Sequence, residues 1–278
     1  MTLDLVKLAK MLDALNTFDE TARRVSKRRA LEPIEKGLTQ GMAAAFRAQG
    51  QAIVAELAKL KDEFPVEEAA PPLGGESVWA ALFRTAELAT LDLLREPLVE
   101  AAQAGLLAGA ENVIGSLDMG ISYTLKNPRA LAYVKSVGAD KVTKINETTR
   151  GRIKSLLEQA VDEGWSYNRT AKSIISEFED FAVGKPQLHI DSRAHFVAVT
   201  EVGNAYEAGN AAVVADLADG GLAMEKFWST MNDDRVSAGC RANQDEGWIP
   251  ADQAHSTGHM HPLEHPGCRC DELYRRKM

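Results

Sequence analysis

Apolar residues recur at helical spacing along most of the chain. In the first thirty residues they are Leu5, Leu8, Leu12 and Leu15. A recurrence at every third or fourth position places side chains on one face of an α-helix. We therefore predict a helix over residues 2–31 and a second over 33–61, because Pro33 suits a first helical turn. Together the two would form a helical hairpin over residues 1–62.

A segment rich in proline, glycine and acidic residues interrupts this pattern at residues 63–76 and predicts a linker. Helical periodicity then resumes, and we predict a helical domain over 77–220. Its helices are expected at about 78–117, 128–137, 147–163, 167–181 and 191–219. The expected start signals are Ser77, Asn127-Pro128, Asn146 and Ser166, and the expected stop signals are Gly138, Gly164 and Gly220-Gly221. Pro97 should kink or interrupt the first of these helices.

Small residues mark two of these helices as close-packing surfaces. Residues 101–115 are rich in alanine and glycine, including Gly105 and Gly109. Gly203 and Gly209 lie inside the last helix, where each costs roughly 1 kcal/mol relative to alanine. This cost suggests close backbone packing or a bend at these glycines.

After Gly221 the helical pattern ends, and Gly, Pro, Asp and Asn become frequent. Short runs of strand-like composition occur at 225–231, 247–250 and 269–274, and Asn232-Asp233-Asp234 is a turn signal. We predict a small antiparallel sheet within residues 221–278. The expected fold class is therefore mainly α (α+β), with a small β and zinc-knuckle-like element at the C-terminus.

Composition narrows the possible partners of the chain. The formal net charge is −8 and the pI is about 5.4. Proteins that grip nucleic acid along a broad face are usually basic, so any nucleic-acid contact here should be local. The basic face that includes Arg24, Lys27 and Arg28 is expected to be solvated, and the alternative is a contact with phosphate or an acidic partner. We find neither a signal peptide nor a stretch that predicts a membrane span, and three cysteines favour a reducing compartment without a disulfide framework.

Cysteine and histidine residues concentrate near the C-terminus. The candidate metal ligands are Cys240, His265, Cys268 and Cys270, with His255, His259 and His261 as substitutes for His265. Thiolate and imidazole are the ligands that tetrahedral Zn²⁺ prefers. The segment is poor in aliphatic residues, and a metal would hold it together better than its own packing. The alternative is that the cysteines are small buried residues and the histidines belong to a polar surface loop.

The C-terminal residues, together with Glu201, also allow other kinds of chemistry. A cysteine near a histidine is the minimal arrangement of a thiol enzyme, but no oxyanion hole or orienting residue is evident. Glu201, Asp233 and Asp234 are candidate paired carboxylates, although the two aspartates more simply make a turn that caps Arg235. Trp228 and Trp248 are expected in the core of the small sheet rather than as a platform for stacking bases.

These residues resemble a known family, the Mu F-like head morphogenesis proteins of tailed bacteriophages. The resemblance covers residues 125–274. It is carried first by Arg193, Thr200, Glu201, Asn204, Ala205, Tyr206 and Gly209, and then by Trp228, Thr230, Asp233 or Asp234, Arg235 and Val236. It continues with Cys240, Ala242, Asn243, Gly247, Ile249 and Pro250, and ends in His265, Pro266, Cys268, Arg269 and Cys270. Many relatives carry a second cysteine where this chain has Ser237, so a four-thiolate site is not available here.

The resemblance implies a structural role rather than an enzymatic one. It implies a minor head protein acting in procapsid assembly or at the portal, with the portal protein or the major capsid protein as partner. The expected location is the phage head, or the host cytoplasm during assembly. Two alternatives remain: a metal-dependent or thiol enzyme of toxin-like type, and a zinc-knuckle protein that binds nucleic acid.

Overall fold

The fold is mainly α, as the periodicity predicted, with a three-stranded antiparallel sheet near the C-terminus. A computed structural model describes residues 5–63, 76–117, 122–184 and 192–277. The predicted linker at 63–76 falls almost entirely outside these residues. The helices are α1 (Leu5–Glu63), α2 (Glu76–Ser116), α3 (Pro128–Ser136), α4 (Val142–Asp162), α5 (Tyr167–Val183), α6 (Arg193–Asp219) and α7 (Ala238–Asp245), and the strands are β1 (Met224–Ser229), β2 (Ile249–Pro250) and β3 (Asp271–Arg276).

The predicted N-terminal hairpin was wrong. Helix α1 is continuous from Leu5 to Glu63 and includes Pro33 in its interior. Leu31 and Leu38 are both buried, so the apolar stripe runs past the proline without a change of phase. A proline in a helix interior removes one backbone hydrogen bond, but continued burial on both sides can outweigh that cost. Pro97 likewise lies inside the single helix α2.

Two other predicted helix boundaries also differ from the structure. A π-helical turn at Val137–Lys141 joins α3 to α4, so the chain does not leave the helical conformation at Gly138. Asn146 lies inside α4 rather than at its start, and its buried Oδ1 accepts a hydrogen bond from Gln49 Nε2 at 2.8 Å. The prediction at Ser166 was confirmed, because the Ser166 side chain accepts from the backbone N–H of Arg169 at the start of α5.

The chain forms two compact units, and each contains segments that are distant in sequence. The first, here called the cysteine unit, comprises the described parts of Met1–Ile34, Ala104–Ala130 and Val202–Met278. The second, here called the aromatic unit, comprises the described parts of Glu35–Gln103 and Leu131–Glu201.

The aromatic unit has a core of ordinary apolar packing. Phe46, Phe178 and Phe181 are each no more than 1 % exposed and meet edge to face, with ring centroids 5.2–5.6 Å apart. The Arg193 guanidinium stacks on two of these rings, at 4.9 Å from the Phe46 centroid and 4.5 Å from that of Phe181. Burial lowers the pKa of Arg193 to about 10.

In the cysteine unit, the C-terminal part of α2 packs closely against α6. A Cβ atom on Gly109 would lie 1.9 Å from the carbonyl oxygen of Tyr206, and one on Gly209 would lie 2.0 Å from that of Leu106. Only glycine permits this approach of the two backbones. The packing surface expected from the small residues is therefore confirmed.

The sheet has the strand order β2-β1-β3, with β1 antiparallel to both neighbours. Trp228 in β1 lies opposite Glu272 in β3 and is fully buried. At the opposite end of the sheet, Met224 of β1 and Tyr274 of β3 belong to a cluster of buried apolar side chains. This cluster packs the two strands against α2 and α6. Both the sheet and its central tryptophan agree with the prediction.

Candidate metal centre

The three cysteines come from two elements that flank the sheet. Cys240 lies in α7, a short helix that the sequence analysis did not predict. Ser237 caps this helix, since its Oγ accepts from the backbone N–H of Cys240 at 3.1 Å. Cys268 and Cys270 immediately precede β3, after a turn in which the N–H of Cys268 donates to the carbonyl of His265. Capping and strand pairing thus bring the cysteines together.

The thiol groups form one buried cluster. The Sγ atoms of Cys240 and Cys268 are 3.7 Å apart, and those of Cys240, Cys268 and Cys270 all lie within 4.8 Å of one another. Their residues are 1 %, 5 % and 5 % exposed. None is in a disulfide, and a sulfur separation of 3.7 Å is far beyond the roughly 2.05 Å of a disulfide bond. The cluster is therefore reduced and shielded from solvent.

Hydrogen bonds within the cluster shift the pKa values of the three thiols in different directions. Contacts from the Cys240 and Cys270 thiols, and from the backbone N–H groups of Cys270 and Glu264, lower the pKa of Cys268 to about 2. The same contact with Cys268 raises the pKa of Cys240 to about 11, and the pKa of Cys270 is raised as well, first by its contact with Cys240. Binding of a cation to the three sulfurs would require all of them to be deprotonated.

Glu264 and His265 approach the cluster from the side of Cys240. A Glu264 carboxylate oxygen lies 3.7 Å from Cys240 Sγ and accepts a hydrogen bond from Ser237 Oγ at 2.9 Å. His265 Nε2 lies 3.8 Å from that carboxylate, and His265 Nδ1 lies 3.1 Å from the carbonyl oxygen of Pro266. Cys240, Glu264 and His265 form a second group of ligand atoms within 4.8 Å.

The structure thus brings together the three cysteines predicted as ligands and places His265 beside Cys240. Whether His265 binds a metal stays a prediction. Glu264 was missed by sequence reasoning, which considered only thiol and imidazole groups. Its position directly before His265 was the available signal.

The three substitute histidines are engaged elsewhere. The buried His255 ring lies between two carboxylates, with Nδ1 at 3.2 Å from Glu246 and Nε2 at 3.1 Å from Glu272. His259 Nδ1 contacts Thr257 Oγ1 at 2.9 Å, and His261 Nδ1 contacts its neighbouring carbonyl at Pro262. Among the residues described, none of these histidines joins a group of potential metal ligands.

The flanking turn is tied to the cysteine segment by an ion pair. Asp233 accepts from the backbone N–H of Arg235 at 3.1 Å, as predicted for a local turn. Both oxygens of Asp233 also lie 2.8 Å from Nη2 of Arg269. Arg269 is the residue between Cys268 and Cys270. The hydrogen bond from Arg269 is the largest cause that lowers the pKa of Asp233.

A buried ion-pair cluster lies on the other side of Cys270. Lys27 Nζ donates to Glu207 at 2.6 Å, to Asp271 at 3.0 Å and to the carbonyl of Cys270 at 2.9 Å. Both carboxylate side chains are at most 3 % exposed. The prediction that the basic face of α1 is solvated was therefore wrong at Lys27. The sequence signal for the burial of Lys27 was its position four residues before Leu31, which is buried and lies on the same face of the helix.

Residues 151–273 match the family model described as Phage Mu protein F like protein. These residues are therefore similar to phage Mu protein F. The Mu F-like segment contains α5, α6, the tryptophan of β1 and all three cysteines, together with the first half of β3. Comparisons with curated proteins and with solved structures gave no match.

The boundaries of the Mu F-like segment are narrower than the resemblance suggested. The match begins at residue 151, within α4, whereas the motif pattern predicted a start near 125. Helices α1, α2 and α3 lie outside the matched region. Among the described residues, no helix is both long enough and apolar enough to span a membrane.

Proposed function

We propose that this protein is a phage head morphogenesis protein that acts through protein contacts during head assembly or at the portal. The observation that carries the proposal is the Mu F-like match over 151–273, which includes the terminal His-Pro-Gly-Cys-Arg-Cys segment. Its partners would be the portal protein, the major capsid protein or both. Its location would be the phage head, or the host cytoplasm during assembly.

The burial of the thiols supports a structural role over a thiol enzyme. A nucleophilic cysteine must meet its substrate as an accessible thiolate. Here Cys268, whose pKa is the lowest of the three, is 5 % exposed and its sulfur is hydrogen-bonded by its neighbours. A cavity of about 190 Å³ in the same unit is lined by Tyr123, Asn127 and Asp216 among others, and no cysteine or histidine lines it.

Exposed apolar side chains of α2 are candidates for the protein contact. Leu88 is 66 % exposed and Leu93 is 50 % exposed. Both lie outside the Mu F-like match, in the part of the chain that we propose contacts another head component. Burying two leucines against a partner would contribute about 1.5–3 kcal/mol each.

The proposal is tested with the portal and major capsid proteins encoded by the same phage. The full chain is co-expressed with each, and association is measured by co-purification and by light scattering. We expect a complex with at least one of the two, weakened by the double variant Leu88→Glu/Leu93→Glu. Ala89→Glu is the matched control, because this exposed neighbour receives the same acidic side chain.

The proposal also predicts that deleting the gene from the phage gives defective or absent heads. Normal heads from the deleted phage, together with no association with either partner, would contradict it. Retained binding in the Leu88→Glu/Leu93→Glu variant would instead place the contact elsewhere on the chain.

A further inference from the structure

We propose that the thiolates of Cys240, Cys268 and Cys270 bind one Zn²⁺ ion, and that the carboxylate of Glu264 is the fourth ligand. This inference goes beyond the assembly role, since it concerns what holds the C-terminal part of the protein together. It rests on the geometry of the cluster, and it would stand if the partners proposed above were different.

The spacing of the sulfurs fits a tetrahedral zinc ion. With Zn–S bonds of about 2.3 Å, two sulfurs of a tetrahedral site lie roughly 3.8 Å apart. The distance between the sulfurs of Cys240 and Cys268 is 3.7 Å, and the Cys270 sulfur lies within 4.8 Å of both. A site for a cation of this size therefore needs a small adjustment at Cys270 and a movement of the Glu264 side chain, whose carboxylate lies 3.7 Å from Cys240 Sγ but does not lie within 4.8 Å of all three sulfurs.

The surroundings of the sulfurs fit thiolates better than thiols of an apolar core. Backbone N–H groups of Cys270 and Glu264 are directed at the sulfur of Cys268. Such donors stabilise the thiolates of metal sites and fix their orientation. The indole N–H of Trp228, buried in the same cluster, has no hydrogen-bond partner among the described residues. This buried donor belongs to the same packed cluster as the sulfurs, and thiolates there would carry the negative charge that a divalent cation balances.

The contacts of Glu264 favour it over His265 as the fourth ligand. The Ser237 hydroxyl holds the carboxylate of Glu264 at 3.7 Å from the sulfur of Cys240. Gly239 leaves the space for this approach, because a Cβ there would lie 2.6 Å from the other carboxylate oxygen. The side chain of His265 is more exposed, at 39 % against 23 % for Glu264.

The total charge of the four ligands and the lack of an open coordination position indicate a structural zinc site rather than a catalytic one. Three thiolates and one carboxylate carry the same formal charge as the four thiolates of common structural zinc sites. Four protein ligands leave no open position for a substrate or a water molecule, so the ion would act as a clip. It would join α7 to the segment that precedes β3, across the loop between residues 240 and 268.

The first experiment measures metal in the full-length protein purified under reducing conditions without added chelator. We expect about one zinc ion per chain by elemental analysis. Replacing zinc with Co²⁺ should give the visible d–d bands of a tetrahedral thiolate site. A protein that contains no zinc, and that also fails to bind Zn²⁺ or Co²⁺ when titrated as the reduced apoprotein, would overturn the centre. This titration uses the unsubstituted chain, so it does not depend on a variant that folds.

The second experiment identifies the fourth ligand with the matched variants Glu264→Gln and His265→Asn. Zinc affinity is measured by competition with a chromophoric chelator, and the cobalt spectrum is recorded for each variant. We expect Glu264→Gln to lose at least about tenfold in affinity and to shift the cobalt bands, and His265→Asn to change affinity by less than about threefold. The reverse pattern would overturn the assignment of Glu264 and restore His265. Neither result depends on whether the protein binds a portal or capsid protein.

Discussion

The cysteine unit and the aromatic unit are stabilised by different kinds of side chain. The aromatic unit buries Phe46, Phe178 and Phe181 against one another, an arrangement that apolar burial alone can stabilise. The cysteine unit also has an apolar cluster, but around its sheet it buries three thiols, Lys27 and the carboxylates of Glu207 and Asp271. Buried polar groups stabilise a fold only when their partners are present. The cysteine unit should therefore respond strongly to metal and to charge, whereas the aromatic unit should respond only weakly to charge and not to metal.

The largest effect in the aromatic unit is expected from Phe178→Ala. This substitution removes a fully buried ring, and such changes cost about 3–5 kcal/mol of the free energy of unfolding. The control is Ile175→Ala on the same helix, where the side chain is 41 % exposed and a much smaller loss is expected. Chemical denaturation measures both. If Phe178→Ala also lowered the zinc affinity of the protein, the two units would not be independent.

A loss of similar or slightly smaller size is expected in the cysteine unit from Lys27→Met. The substitution leaves two buried carboxylates without their cation, and breaking a buried ion pair in this way costs about 3–5 kcal/mol. Arg29→Met is the control, since Arg29 is exposed on the same helix. If Lys27→Met and Arg29→Met had equal denaturation midpoints, the buried ion-pair cluster would not contribute to stability.

A moderate effect is expected from Gly109→Ala, where α2 and α6 approach closely. The added Cβ would meet the carbonyl oxygen of Tyr206, so the helices must separate at a cost of about 1–3 kcal/mol. Gly151→Ala is the matched control in α4, because a Cβ there meets no atom within 4 Å. That control should stabilise the protein by roughly 0.5–1 kcal/mol. If both variants were less stable than the unsubstituted protein, the loss at Gly109 could not be assigned to the close packing of α2 and α6.

The smallest effect is expected from Glu179→Gln, and it should depend on pH. Arg47 lies 2.6 Å from Glu179 on the surface of the aromatic unit and lowers the pKa of this carboxyl, chiefly through their hydrogen bond. A lowered pKa contributes stability above the unfolded value of about 4.3, and this contribution is lost as the pH falls through the folded value. The difference in denaturation midpoint between the two proteins should be small at pH 7 and should diminish as the pH falls below about 4.3. A difference that did not diminish at low pH would have another origin.

Features set by local sequence were predictable, and those set by distant partners were not. The cap at Ser166 follows from the residues that flank it, and the close packing at Gly109 follows from the run of small residues around it. Both were confirmed. Strand composition likewise located the three strands within a few residues.

The errors arose where tertiary contacts outweigh local signals. Asn146 is a good capping residue, but here it is buried inside α4 and bonded to Gln49, which is distant in sequence. The local sequence around Lys27 is typical of a solvated helix face, but in the fold Glu207 and Asp271 lie beside this lysine. Pro33 should begin a helix, yet burial on both sides of it keeps α1 continuous. In the candidate site, residue type indicated the three cysteines, whereas Glu264 became evident only through its contacts with Ser237 and Cys240.

The most direct test of the contrast between the two units is amide hydrogen exchange of the reduced full-length protein, after addition of Zn²⁺ and after treatment with a chelator. We expect the chelator to speed exchange in α7 and in residues 265–276, while residues 170–182 of α5 keep the same protection. Unchanged exchange in both regions, or equal loss of protection in both, would contradict this expectation.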